Sequence, residues 1–188
     1  GALYFEDVSG LEPGTPDGKI DGYDYQVIEG KHYLPPYTYG LNLKGEWKGL
    51  GADIFLQGAM GVSKMYNDGY GRRFHVGVRA PSFWLDSWTP DNTDAEYPQA
   101  VPWDYTMDHM PSTFWLKNGN YLRLQHVNLY YNLPKDITEK IRMSNLRILL
   151  SGTNLFTITP FDYYDPTVSE MRSYPTMRTI TLGINATF

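Results

Sequence analysis

The last eleven residues, RTITLGINATF, place Ile180, Leu182, Ile184, Ala186 and Phe188 at every second position, with Thr181, Gly183, Asn185 and Thr187 between them. A period of two is the signature of an extended strand whose two faces look at different surroundings. Chain ends usually fray, so an apolar, two-faced ending predicts a strand tied into a sheet. Four earlier segments carry the same pattern. Tyr37, Tyr39, Leu41, Leu43 and Trp47 alternate with Thr38, Gly40, Asn42, Lys44 and Glu46. Ala52, Ile54, Leu56, Met60 and Val62 alternate with Asp53, Phe55, Gln57 and Ala59. In YLRLQHVNLYYNL, residues 121–133, the apolar phase slips between Leu124 and Val127, which predicts a β-bulge near Gln125–His126. Finally Leu146, Ile148, Leu150, Phe156 and Ile158 oppose Arg147, Ser151, Thr153 and Thr157.

The expectation is an all-β fold: an antiparallel up-and-down sheet of about five strands of roughly 10–13 residues, against a usual length of about 5–6. A strand that crosses a bilayer needs about 9–11 residues. The links support a membrane reading. A tight KGLG joins the hairpin of residues 36–62, and PKDITEKIRMSN, with room for one helical turn, joins the hairpin of residues 121–158. Residues 63–120 and 159–178 make the other two links, before the terminal strand at 179–188. Short and long connections therefore alternate, as in outer-membrane barrels with short periplasmic turns and long outer loops.

Composition narrows the partners. Sixteen basic against 21 acidic residues give a net charge of −5, which argues against nucleic acid. The chain has no cysteine, so thiol chemistry and disulfides are excluded. Aromatics make up 15% of the residues, with 18 Gly and 13 Pro, a mixture suited to strands and turns. No run approaches the roughly 18 apolar residues of a membrane helix, which leaves a barrel open. Catalytic signatures are poor. His32, His75, His109 and His126 lack metal-ligand spacing, and no nucleophile elbow or phosphate loop occurs, so an enzyme is not expected.

YLRLQHVNLYYNLP, LRILLSGTNLFTIT, YYDPTV and TITLGINATF, preceded in order by DGKIDGYD, PPYTYGLNLKGEWKGLGADIFLQGAMG and SWTPDNTDAEYP, resemble the C-terminal part of SusC-like, TonB-dependent outer-membrane transporters. The resemblance covers essentially the whole chain. It implies a plugged barrel of roughly 22 strands, energised by TonB, that imports oligosaccharides or peptides. A SusD-like surface lipoprotein would close its outer mouth. It also implies that Phe188 is the signal read by the barrel-assembly machinery, against the plainer reading of an end residue packed in a soluble sheet. Plug, TonB-contacting segment and most strands are absent from this sequence. Five strands cannot close a barrel, and unpaired edges invite aggregation. The expected partners are thus the remainder of the same barrel and plug, the lipoprotein, outer-membrane lipid and, through the absent part, TonB. The alternative is a soluble β-sandwich that binds glycans.

Three groups of residues carry the candidate sites. Lys44, Glu46, Asp53, Arg123 and Arg147 would line the lumen of a barrel, or form the solvated face of a soluble sheet. Tyr37, Tyr39, Trp47 and Tyr131 would be interfacial aromatics in the first case and hairpin core in the second. Trp84, Trp88, Trp103, Tyr105 and Trp115 offer rings for a substrate or the lid. Their competing role is the loop's own core, which Trp84 and Trp88 within SFWLDSW suit best. Asp17, Asp21 and Asp24 match the latter half of a calcium loop of EF-hand type. Pro13 and Thr15 stand where acidic ligands belong, and Asp7 and Ser9 replace them only if LEPGTP loops out. A solvated acidic turn built on Asp-Gly explains the same residues. No other cofactor is expected.

Overall fold

All five alternating segments become strands of one antiparallel sheet. In the computed structural model, which describes residues 1–66, 80–101, 107–108, 110–169 and 173–188, the strands run in chain order. They are β1 (Tyr37–Trp47), β2 (Leu50–Met60), β3 (Ser63–Met65), β4 (Leu116–Asn118), β5 (Tyr121–Asn132), β6 (Asn145–Ile158) and β7 (Thr179–Thr187). The main sheet has the order β1-β2-β5-β6-β7, while β3 and β4 form a separate two-stranded sheet. Its strands are 11, 11, 12, 14 and 9 residues long. Each is long enough to cross a bilayer.

Register keeps the two faces separate from edge to edge. Leu43 pairs with Ile54, Ile54 with Val127, Val127 with Gly152 and Gly152 with Ile180, an apolar row across all five strands. One residue away on the other face, Lys44, Asp53, Asn128, Ser151 and Thr181 form a polar row. A one-residue slip would exchange the faces, so the bulge must be placed with care. It falls where the slipped phase predicts. Phe55 opposes His126 and Leu56 opposes Leu124, leaving Gln125 extra on β5. Opposite it on β6, Asn154 and Leu155 fill the gap between Thr153 and Phe156, with Asn154 at φ 51°.

β1 and β2 meet in a two-residue turn at Lys48 and Gly49, both with positive φ. Such primed turns match the twist of the strands they join. The link from β5 to β6 holds one helical turn, α1 (Lys135–Thr138), as its length suggested. Both short links and the end of β7 lie at one end of the sheet, since Leu50 pairs with Tyr131 and Asn145 with Thr187. The two long links leave from the opposite end.

The chain divides into two compact units. The sheet lies in His32–Lys64 with Lys117–Phe188, and the other unit joins Gly1–Lys31 to Met65–Leu116. Residues 63–120 are therefore more than a loop: they fold largely with the N-terminal segment. Leu3 N–H donates to Asp108 Oδ1 at 2.6 Å, and Gln99 N–H donates to the Gly1 carbonyl at 2.7 Å. Tyr66, Trp84 and Trp115 form the core of this unit.

Candidate functional site

Charged residues on the polar face of the sheet are linked across strands. Lys44 Nζ lies 2.9 Å from Asp53 Oδ2, a largely exposed pair that contributes at most about 1 kcal/mol. A longer chain of contacts starts at Glu46. Tyr130 Oη donates to Glu46 Oε2 at 2.8 Å and Asn132 Nδ2 donates to Oε1 at 3.4 Å. Arg147 Nε donates to Asn132 Oδ1 at 2.6 Å, and its guanidinium stands 4.5 Å from the centre of the Tyr130 ring. Gly51 makes this reach possible. A Cβ there would lie 2.1 Å from the Tyr130 ring, so a side chain on β2 would block tyrosine on β5 from glutamate on β1. Lys44, Asp53, Asn128 and Tyr130 line a shallow cavity of about 360 Å³ on this face.

Arg123 lies on the same face but is only 4% exposed. Its Nη2 donates to both oxygens of Asp165, at 2.7 and 2.8 Å, while Nε donates to Thr157 Oγ1 at 2.9 Å. Asp165 also accepts from the amide and hydroxyl of Thr167 at 2.8 and 2.6 Å, a turn in which a carboxylate holds the backbone two residues on. Partial burial pushes the Asp165 carboxyl up, but the bonds from Thr167 and Arg123 outweigh it and hold the pKa at about 2. A second cation secures the same stretch. Lys64 Nζ donates to the Pro166 carbonyl at 2.8 Å and to that of Val168, and lies 5.5 and 5.2 Å from the ring centres of Phe161 and Tyr164. Burial lowers its pKa and the nearby Asp165 charge opposes the shift. Arg123 is thus a clamp on residues 165–167 instead of a free charge on the face.

Among the loop aromatics, Trp115 is fully buried and Trp84 nearly so. Phe114 meets Trp115 edge-on at 4.8 Å, Phe83 stacks on Tyr97 at 4.6 Å, and Trp115 Nε1 donates to the Asp108 carbonyl at 2.7 Å. Trp84 and Trp115 are core, so neither offers a ring face to a ligand. Trp88 is half-buried and packs on Gly1. Trp103 and Tyr105 lie outside the described residues.

The acidic turn loops out as the calcium pattern requires. A Cβ on Gly10 would lie 2.8 Å from that of Asp17, so residues 11–16 are extruded and Asp7, Ser9 and Gly10 stand beside Asp17. Asp7 accepts from Gly18 N–H at 2.6 Å, and Gly18 has φ 82°. The carboxylates nonetheless face backbone amides. Asp24 accepts from Asp21, Val8 and Ser9 N–H, which lowers its pKa, and Asp21 accepts from Tyr23 N–H. Among the described residues no three carboxylates or imidazoles are grouped to hold a metal ion.

The sheet, its two faces and its alternating links can be set beside known proteins. The chain is 30% identical to the TonB-dependent receptor P26 of Formosa agariphila, over 92% of its own length and 19% of that protein's. It is 24% identical to the TonB-dependent receptor P3 of the same organism, over 100% of its length and 19% of the relative's. Among solved structures it overlies the RagAB peptide importer in the open-open state with a TM-score of 0.72 and 26% identity, covering 96% of this chain and 20% of that one. The chain resembles SusC-like, TonB-dependent receptors in sequence and in fold. It spans about a fifth of the length of these relatives. A second RagAB structure, of the peptide transporter, has the same fold with a TM-score of 0.73. These relatives are receptors and transporters, not enzymes. No protein-family model matches the chain.

Residue patterns alone did not disclose the Arg123–Asp165 clamp, the cage around Lys64 or the Glu46–Tyr130–Asn132–Arg147 chain. Their partners lie on different strands or in a loop. Only the Asp-Pro-Thr turn at residues 165–167 was a local signal for one of them.

Proposed function

We propose that this chain is part of an outer-membrane importer of oligosaccharides or peptides, with its apolar sheet face against lipid and its polar face towards the barrel interior. The observation that carries the reading is the apolar face that crosses all five strands and keeps large side chains exposed on each: Leu43, Leu50, Leu129, Leu150 and Leu182 are 50, 57, 41, 44 and 74% exposed. A water-soluble sheet of this size would cover such a face, because contiguous exposed apolar surface marks a protein or membrane contact. The soluble sandwich expects the long strands to divide between two packed sheets; here they share one. In the proposed orientation the short turns and Phe188 face the periplasm, and the long links face outward. Barrel closure pairs the free edges of β1 and β7 with further strands. TonB supplies the energy through a segment outside this chain, a SusD-like lipoprotein covers the outer mouth, and Phe188 serves barrel assembly. Lys44, Glu46, Asp53 and Arg147 then line the interior.

Fractionation of the source cells tests the reading. A blot against this chain should find it in the outer membrane, in a band far heavier than its own 21.6 kDa. A soluble band near that mass would overturn it. Calcium at Asp17, Asp21 and Asp24 is proposed on a separate observation: extrusion of residues 11–16 puts Asp7 and Ser9 ahead of Asp17 in the order of an EF-hand-type loop. Millimolar calcium should then slow amide exchange across residues 7–24 relative to chelator. Identical exchange in both would remove the ion.

A further inference from the structure

The unit built from Gly1–Lys31 and Met65–Leu116 contains a cavity of about 480 Å³ that no part of the import reading uses. Its walls include Phe5, Ile20, Met65, Met107 and Met110, and its acidic groups are Glu6, Asp21 and Asp24; among the described residues no lysine, arginine or histidine lines it. The volume falls within the range of small-ligand sites, which pair apolar walls with a few placed polar groups.

The chemistry favours one class of occupant. Thioether side chains are flexible and polarisable and adapt to differently shaped apolar groups. Asp24 stays ionised because it accepts three backbone amides, and Asp21 is fixed by its bond from Tyr23 N–H. Glu6 is exposed, and its carboxylate accepts no bond among the described residues. A largely apolar chamber whose charged groups among the described residues are all acidic suits a ligand that pairs an apolar group with a cation. Glu6 is the cation's partner, because Asp21 and Asp24 belong to the calcium turn. A neutral sugar would find partners for its hydroxyls in Tyr4, Tyr25, Gln26, Ser112 and Thr113, which also line the cavity, but it would leave the acidic groups without a counter-charge.

We propose that this cavity binds a short peptide that carries a basic side chain beside an apolar one. The inference deepens the import reading and rests on it for the ligand's role as cargo; binding itself is measured independently.

Calorimetric titration of the intact membrane protein in detergent with acetyl-Leu-Lys-amide tests the site, with acetyl-Leu-norleucine-amide as an uncharged control of similar shape. The lysine probe should bind more tightly than the control. Glu6→Gln should weaken the lysine probe by about fivefold, the effect of one exposed charge pair, and leave the control unchanged. Met110→Trp, which narrows the cavity, should weaken both. Equal binding of the two probes, indifference of the lysine probe to both substitutions, or no binding by a folded chain would overturn the site. Such a failure leaves the importer reading to the fractionation experiment, whereas a soluble protein that binds the lysine probe would lose the importer and keep the site.

Discussion

Arg123 and Asp165 sit 42 residues apart in sequence, yet their two-bonded contact fixes a loop onto the sheet. Asp165→Asn keeps the shape and removes the charge. It should loosen residues 161–168 by about 2–3 kcal/mol, the scale of hydrogen bonds to a charged group, read as faster amide exchange there. Acid should do the same to the unaltered chain. The folded pKa of about 2 lies below the ordinary carboxylate value near 3.9. The stabilisation is therefore complete above about pH 4 and is lost as pH falls through 2. Asp165→Asn should erase this pH dependence. If the protection of these amides relative to their intrinsic exchange rates were constant in the unaltered chain from pH 5 to 2, the clamp would not be holding the loop. At Gly51 the test is steric. Gly51→Val drives a side chain into the space of Tyr130, should break the bond to Glu46 and cost about 1–3 kcal/mol. Unchanged thermal stability would contradict the proposed reach across β2.

Strands are where the sequence was most legible, because alternation reports the two faces directly and the phase slip placed the bulge at Gln125. Leu149 shows where alternation misleads. It stands on the polar face, opposite Gly183, whose missing side chain leaves room for it. The second compact unit was not legible. Its order comes from contacts between Gly1–Lys31 and Met65–Leu116, pairings far apart in sequence that no local period records. The tryptophans were legible only in type: whether a ring is core or contact depends on burial, and Trp115 lies inside with its indole N–H satisfied. Trp115→Ala should accordingly cost about 3–5 kcal/mol and loosen its unit. A negligible loss would show that the aromatic cluster does not support it. On β7 the two faces make opposite forecasts. Leu182→Arg puts a cation on the apolar face and should cost about 2–4 kcal/mol in a bilayer, whereas Asn185→Arg on the polar face should be mild. The check is the yield of assembled, heat-resistant protein in outer membranes; equal yields would contradict the assignment of faces.

Over the whole molecule, the account stands or falls on what the two sheet faces touch. Short links at one end, long links at the other and, among the described residues, unpaired edges at β1 and β7 fit a section of a larger barrel, but only the faces distinguish lipid from water directly. This chain contributes no cysteine, so single cysteines introduced into it can carry spin labels once any cysteine elsewhere in the protein has been replaced. Labels at 180, 182 and 184, and at 181, 183 and 185, sample the two faces of β7. The decisive measurement is their collision with oxygen, which partitions into lipid, and with a water-soluble nickel chelate, on protein in its native outer membrane. The account predicts a period of two: positions 180, 182 and 184 accessible to oxygen, positions 181, 183 and 185 shielded from it. Nickel access at 180, 182 and 184 equal to that of a label in bulk water would mean that the apolar face does not meet lipid.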